Sequence, residues 1–347
     1  MSNKQTKWLP IPSVAEGMGN LEQAAAILRK GGLVAIPTET VYGLAADATN
    51  PQAVTSIFEA KGRPQDNPLI VHIHDIQALS GPSREIPESA LLLARHFWPG
   101  PLTMILPKAD CIPSVTSAGL DTVAIRLPSH PIARALIRQA GIPLAAPSAN
   151  RSGSPSPTTA LHCLHDLEGR VDAIIDGGPC QVGVESTVIS LVGKPRLLRP
   201  GAITAEKIRS LLPDLEIDPA VVQQPPPDAQ VASPGMKYKH YAPHCPVFLV
   251  DGPVEAFPNW VNAQAAQEPG IFALCSDEDL PLLHCPALSL GPLADGKAQA
   301  SHLFGVLREL DEKGAKKAYA RCPRQEGIGL ALYNRLIRAA AFHIIKI

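Results

Sequence analysis

Five separated stretches of this sequence spend cations, hydroxyls, glycine and proline where a structural loop would not require them. The first, Pro37-Thr38-Glu39-Thr40-Val41-Tyr42-Gly43-Leu44, follows the apolar run Leu33 to Ile36, which reads as a buried strand. Hydroxyls such as Thr40 at a strand's end, followed by a Gly turn, suit a small polar ligand; a capped turn is the plainer reading. The second is Lys61-Gly62-Arg63-Pro64, then Asn67-Pro68-Leu69-Ile70-Val71-His72. Two cations flank a Gly, where the backbone can approach a phosphate closely. Strand alternation over Leu69–Ile73 sets Leu69, Val71 and Ile73 on one face, Ile70 and His72 on the other. A lone strand histidine is either a satisfied structural residue or, with those cations upstream, a site residue. The third stretch, Asp121-Thr122-Val123-Ala124-Ile125-Arg126-Leu127-Pro128, puts Arg126 inside an apolar strand. A buried arginine must be paired, with a ligand carboxylate or phosphate or with a carboxylate of the protein. The fourth, Ala145-Ala146-Pro147-Ser148-Ala149-Asn150-Arg151-Ser152-Gly153, runs on to Ser156-Pro157-Thr158 and feeds hydroxyls toward an expected helix start, a ready anion site. The fifth, Gly183-Val184-Glu185-Ser186-Thr187-Val188, is followed by Arg199-Pro200-Gly201, so one hydroxyl enters a strand and one arginine leaves another.

Cations and hydroxyls at strand ends suit phosphoryl or nucleotidyl transfer, in which positioning and charge neutralisation matter more than a covalent nucleophile. A Walker A loop, a nucleophile elbow and an HExxH motif are all absent. His162, Cys163 and His165 lie close together without a second ligand pair, so no metal site is assigned. The residues alone describe a nucleotide-binding α/β enzyme.

These stretches need elements to position them. Through residue 212, helical and strand patterns alternate. Helices are expected from Asn20 (as cap) to Lys30, from Asn50-Pro51, over Pro87–Phe97 and Pro131–Ala140, from Ser156-Pro157, and around Ala205–Leu212. Strands are expected at Leu33–Ile36, Leu69–Ile73, Leu102–Leu106, Val123–Leu127, Leu144–Ala146, Ala173–Asp176, Thr187–Val192 and Leu197-Leu198. Several lie too close together for parallel crossovers, so a mixed sheet is expected. Residues 213–245 are Pro-rich, a semi-rigid connector, yet Met236-Lys237-Tyr238-Lys239-His240-Tyr241 is more basic and aromatic than a spacer requires. Residues 246–347 restart as repeated strand–helix units, which predicts a smaller Rossmann-like parallel α/β domain, with a last helix over Gly329–Ile344. It has no GxGxxG after its first strand and reads as an accessory domain.

The net charge of −1 argues against broad attraction to nucleic acid, and residues 1–212 carry 19 Lys and Arg against 17 Asp and Glu, so any such contact would be a local patch. No run approaches the roughly 20 apolar residues of a membrane span, and Met1 to Pro10 lacks a signal peptide's apolar stretch. Seven scattered cysteines without a CxxC suit free thiols in a reducing, cytoplasmic setting.

Together the motifs PTETVYGLAADA, KGRPQDNPLIVHI, FWPGPLTMIL, VAIRLPSHP, PSANRSGSPSPT, GVESTVI and LLRPGAI resemble those of the YrdC-type L-threonylcarbamoyladenylate synthases, over nearly all of residues 15–212. SPGMKYKHYAP and the closing GLALYNRLIRAA resemble the long form, which adds a Rossmann-like domain. The resemblance implies a YrdC-like mixed twisted sheet with flanking helices in residues 1–212, a linker at 213–245 and the second domain in 246–347. It implies synthesis of threonylcarbamoyl-AMP and pyrophosphate from L-threonine, bicarbonate and ATP, with Mg²⁺ on the nucleotide. Partner transferase proteins would then modify the tRNA adenosine beside the anticodon, and a contact with tRNA or double-stranded RNA is a further expectation. Carried over motif by motif, Thr40, His72, Arg126, Ala146 and Ser186 would hold threonine. Lys61, Arg63, Asn67, Thr122, Ser148, Ser156 and Arg199 would hold ATP, with Lys61 and Arg63 acting on the leaving pyrophosphate. Lys237 and Tyr241 of the linker would close over the nucleotide. The alternative is a double-stranded RNA-binding module without catalysis, against which stand the low aromatic content of 4% and the lack of an RNP-type motif.

Overall fold

Short β-branched and apolar runs, separated by helices with one apolar face, must stack as helix layers on a sheet, and here they form two sheets. The computed structural model describes residues 4–224 and 241–347. The larger sheet has eleven strands in the order Lys7–Pro10, Ala173–Asp176, Val34–Ile36, Gly43–Asp47, Leu144–Ala145, Ile70–His72, Thr122–Arg126, Leu102–Pro107, Thr187–Ser190, Arg196–Arg199 and Glu216–Ile217. Parallel and antiparallel neighbours alternate irregularly along it, so the sheet is mixed. Helices Met18–Arg29 and Pro131–Ala140 pack against one another, and their core joins Leu21, Leu28, Leu136 and Ile137 to Val34 and Ile36. The main core lies on the other face, where helices Pro51–Lys61 and Glu88–Phe97 cover Leu44, Val71, Met104 and Ile125.

Helix starts follow local chemistry. Asn50 caps the Pro51–Lys61 helix by accepting from the backbone of Gln52 and Ala53, and Gly62 ends it in the left-handed conformation at φ 62°. Three expected boundaries move. Asn20 is not a cap but lies inside Met18–Arg29, where its side chain donates to the Pro10 carbonyl at 2.8 Å. The helix after the fourth stretch starts at Ala160, capped by Thr159, because Ser156 is drawn away to a carboxylate. The last helix ends at Ala339: Ala341 and Phe342 turn left-handed, at φ 48° and 64°, and send the chain into a strand, Ile344–Lys346.

The smaller sheet is parallel throughout, in the order Ala287–Ser289, Ile271–Cys275, Lys317–Arg321, Val247–Asp251 and Ile344–Lys346. Helix Ala256–Ala265 covers one face, and helices Gly296–Glu312 and Gly329–Ala339 cover the other. The core beneath these last two helices also takes in Val41 and Val184 of the first part, so the two sheets share a hydrophobic contact. Arg308, on Gly296–Glu312, fastens it with a two-pronged pair to Asp166 at 3.0 and 2.7 Å and a third bond to the Pro155 carbonyl at 2.5 Å. Among the described residues no helix is long and apolar enough to cross a membrane.

Candidate functional site

Strand register builds the site. Ile70 pairs with Ala124 and His72 with Arg126; Arg126 pairs with Thr103, Thr103 with Val188, and Val188 with Arg199. Paired residues on neighbouring strands face the same side, so His72, Arg126, Thr103 and Arg199 fall in one row across the sheet. Ile70, Ala124, Ile105, Val188 and Leu198 form a small apolar cluster on that same side. The alternation expected over Leu69–Ile73 is observed: Leu69, Val71 and Ile73 enter the main core, and Ile70 and His72 face a cleft.

That cleft measures about 600 Å³ with its open mouth included. Its walls bring together Thr40, Arg63, His72, Arg126, Ala146, Ser148, Ser186, Arg199 and Tyr241, drawn from all five stretches and from the end of the linker. Arg126 is buried and donates through Nη1 to Thr40 Oγ1 at 2.9 Å. Its Nη2 lies 2.7 Å from Glu39 Oε1, but off hydrogen-bonding geometry, so it keeps a donor direction for another acceptor. Of the two partners open to a buried arginine, the protein carboxylate is present, and Arg126 also faces the cleft. Arg126 in turn holds the Glu39 carboxyl below its ordinary range against the opposing push of burial. Burial, reinforced by Arg126, takes the His72 pKa down to about 3, so the imidazole is neutral at physiological pH. Arg199 donates to the Ser186 carbonyl at 3.0 Å and to Ser186 Oγ at 3.1 Å, and Ser186 Oγ lies 2.7 Å from Thr103 Oγ1. Burial lowers the Arg199 pKa to about 10, which leaves it charged.

Four residues expected to touch nucleotide do not line this cleft. Lys61 is buried, and its ammonium donates to the carbonyls of Ser148 and of Asn150, the latter at 2.6 Å. Burial and Arg63 pull its pKa down to about 7, while the two carbonyls hold its proton; it braces the Ser148–Asn150 loop from behind. Asn67 is buried, and its carbonyl accepts from Arg63 at 3.4 Å, so it anchors the arginine. Thr122 begins the strand that Arg126 ends, four residues and roughly 13 Å away. Ser156 is fully buried and donates to Glu185 Oε1 at 2.5 Å. Lys237 lies outside the described residues. Tyr241 is described: it lines the cleft at φ 66°, a strained conformation for a bulky residue, with its ring 5.2 Å from Phe304.

Four more residues belong to the site. Thr38 and Glu185 line it, Glu39 pairs with Arg126, and Thr103 holds Ser186. All four sit inside motifs already singled out, Thr103 in FWPGPLTMIL, where it is the one hydroxyl of the apolar run Leu102–Pro107. Both carboxylates at the cleft are paired with arginines, Glu39 with Arg126 and Glu185 with Arg335. The described residues thus make no magnesium site of their own, and the cleft meets negative charge with arginine.

A row of buried cations and hydroxyls on one face of a mixed sheet, with Tyr241 at its edge, matches in charge and hydrogen-bonding capacity a polyanion beside a small polar molecule. The chain belongs to the Sua5/YciO/YrdC family: that family's model, described as telomere recombination, matches residues 26–201, and the model of the threonylcarbamoyl-AMP synthase C-terminal domain matches residues 203–341. The chain is 46% identical over 329 residues to the threonylcarbamoyl-AMP synthase of Bacillus subtilis, covering 94% of each. It is 44% identical over 331 residues to that of Pyrococcus abyssi, covering 93% of this chain and 95% of the relative. The crystal structure of P. abyssi Sua5 complexed with L-threonine matches with a TM-score of 0.90 at 42% identity, over 99% of both chains.

Proposed function

We infer that this chain joins L-threonine, bicarbonate and ATP into threonylcarbamoyl-AMP and pyrophosphate. The observation that carries the reading is that Arg63, Arg126, Ser148, Ser186 and Arg199, from separate stretches of the chain, line one cleft. Relatives that match 93–94% of this chain are named for that synthesis, and one was crystallised with L-threonine. A non-catalytic RNA-binding module has no such support.

In this reading the threonine carboxylate takes the remaining donor direction of Arg126, and the threonine hydroxyl and amine lie among Thr40, His72 and Ser186. The amine adds to bicarbonate with loss of water, giving a carbamate. A carbamate oxygen attacks the α-phosphorus of ATP in line, the bond to the β-phosphate bridge breaks, and pyrophosphate leaves with the electron pair. Arg63 and Arg199 neutralise the charge that gathers on the phosphates, and Ser148 orients them. Neutral His72 can accept or donate a hydrogen bond without adding charge beside Arg126. Magnesium arrives on the triphosphate. The mixed anhydride hydrolyses readily, and the wall formed by Tyr241 limits water while it stands. Transferase proteins downstream would carry the threonylcarbamoyl group to tRNA adenosine.

The test is incubation of the pure full-length chain with ATP, each of the 20 amino acids and bicarbonate, with pyrophosphate and adenylate followed by chromatography. Release that needs both L-threonine and bicarbonate supports the reading; release independent of threonine refutes it.

A further inference from the structure

Arg335 lies in the second domain yet is the largest fully buried side chain among the described residues, with no exposed surface. It sits on helix Gly329–Ala339, and every hydrogen bond of its guanidinium but one crosses into the first domain. Its Nε donates to Glu185 Oε2 at 2.9 Å, its Nη2 to the Glu185 carbonyl at 3.2 Å and its Nη1 to the Pro200 carbonyl at 2.7 Å; the remaining bond, at 3.1 Å, goes to the neighbouring Asn334. Glu185 precedes Ser186 in the chain and Pro200 follows Arg199. One guanidinium therefore grips the backbone beside each of two polar residues of the cleft that are themselves bonded to one another. The same guanidinium lies 5.9 Å from the ring of Tyr241, which lines the cleft.

Independent packing marks the loop as shaped against the second domain. A Cβ on Gly183, at φ 77°, would meet Ser301 Cα at 2.3 Å and the Ala300 carbonyl oxygen at 2.6 Å, both on helix Gly296–Glu312. Only glycine lets the loop lie this close. Val184, the next residue, is fully buried in the second domain's core. Glu185 follows directly and is tied to helix Gly329–Ala339 through Arg335, with its second carboxylate oxygen on Ser156.

We propose that Arg335 is a positioning residue for adenylate formation, so that the second domain forms part of the catalytic apparatus in this chain. It acts in two ways. It fixes the Glu185–Ser186 and Arg199–Pro200 segments in register, and it cancels a carboxylate that would otherwise face the incoming triphosphate. The inference rests on the activity proposed above. Glu185 is faced by Arg335, Arg199, Lys61 and Tyr241, and its pKa is held down chiefly by Arg335 and then Arg199 against burial. Without Arg335 the carboxyl pKa rises, and its ionisation with increasing pH places an uncancelled negative charge at the cleft.

The experiment measures threonine-dependent pyrophosphate release, with KM for ATP and for threonine, from pH 6 to 9 in full-length wild type, Arg335→Lys, Arg335→Gln and Arg335→Gln/Glu185→Gln, each checked by thermal unfolding. Both single variants are expected to lose about 100-fold in kcat. In Arg335→Gln, KM for ATP should climb with pH by about tenfold, while in the double variant that climb disappears and part of kcat returns. The lysine variant keeps the charge but cannot reach both carbonyls, so it decides the matter if the glutamine variant fails to fold. The proposal is overturned if folded Arg335→Lys keeps kcat within about threefold of wild type, or if single and double glutamine variants fall equally with no pH dependence. Wild type that releases no threonine-dependent pyrophosphate would sink the activity instead, before any variant is compared.

Discussion

Replacing Arg126 by methionine removes the guanidinium and keeps most of the apolar volume. In the structure this side chain donates to Thr40 at 2.9 Å and through Nε to the Gly100 carbonyl at 3.4 Å, and has one close but misaligned contact, to Glu39. Threonine binding would add a charge-assisted pair, and hydrogen bonds to a charged group contribute about 1.5–3 kcal/mol. Losing one to two of them, at about 1.4 kcal/mol per factor of ten, raises the threonine Kd at least 10-fold and by roughly 100-fold or more when both go. A second effect has the same sign: Glu39 is left buried beside the incoming carboxylate, and like charges repel. Breaking such a buried pair from one side also costs about 3–5 kcal/mol of stability. Arg126→Met/Glu39→Gln removes the orphaned charge and separates the two effects: stability should return while threonine binding stays weak. Calorimetry with threonine and, separately, with a non-hydrolysable ATP analogue reads both. ATP affinity should hold within about threefold, since Arg63 and Arg199 remain. A folded double variant with wild-type threonine affinity would refute the assignment, and so would equal loss of both ligands.

Other consequences follow from single contacts. Gly183→Ala forces a Cβ into the backbone of Ser301 at positive φ and should destabilise by at least about 2 kcal/mol in chemical denaturation, with activity falling alongside. Arg308→Met strands the Asp166 carboxylate between the domains and should cost about 3–5 kcal/mol; an unchanged denaturation midpoint would show that the interface does not depend on this pair. His72 and His162 titrate in the fold at about 3 and about 4, below the ordinary histidine value, because burial disfavours their charge. The unfolded chain binds more protons in that window, so stability is full above about pH 6.5 and falls as pH drops toward the folded values. Between pH 6.5 and 5 each contributes a slope of up to about 1.4 kcal/mol per pH unit, and His72→Asn should flatten the measured curve there.

Much of this was legible in the sequence because each stretch carried its own signal. Arg126 in an apolar strand, the alternation of Ile70 and His72, and the hydroxyls at Thr40, Ser148 and Ser186 all reach the cleft. What the sequence hid was set by distance. Glu39 pairs with Arg126 across 87 residues of chain and Glu185 with Arg335 across 150, and no local pattern announces such partners. Lys61 is a related case: a lysine beside a glycine and an arginine looks like a phosphate ligand, and the pattern does not announce the two carbonyls of the 148–150 loop that accept from its ammonium. The strand Gly43–Asp47 is not announced by the sequence, because Gly-Leu-Ala-Ala-Asp has weak strand propensity; the sheet imposes the conformation through its neighbours Val34–Ile36 and Leu144–Ala145.

A crystal soaked with threonine and a non-hydrolysable ATP analogue tests the central claim most directly. The account predicts the threonine carboxylate on Arg126, and the phosphates between Arg63, Ser148 and Arg199 in the same cleft. Threonine and nucleotide bound in separate places, or phosphates lying away from these arginines, would contradict it.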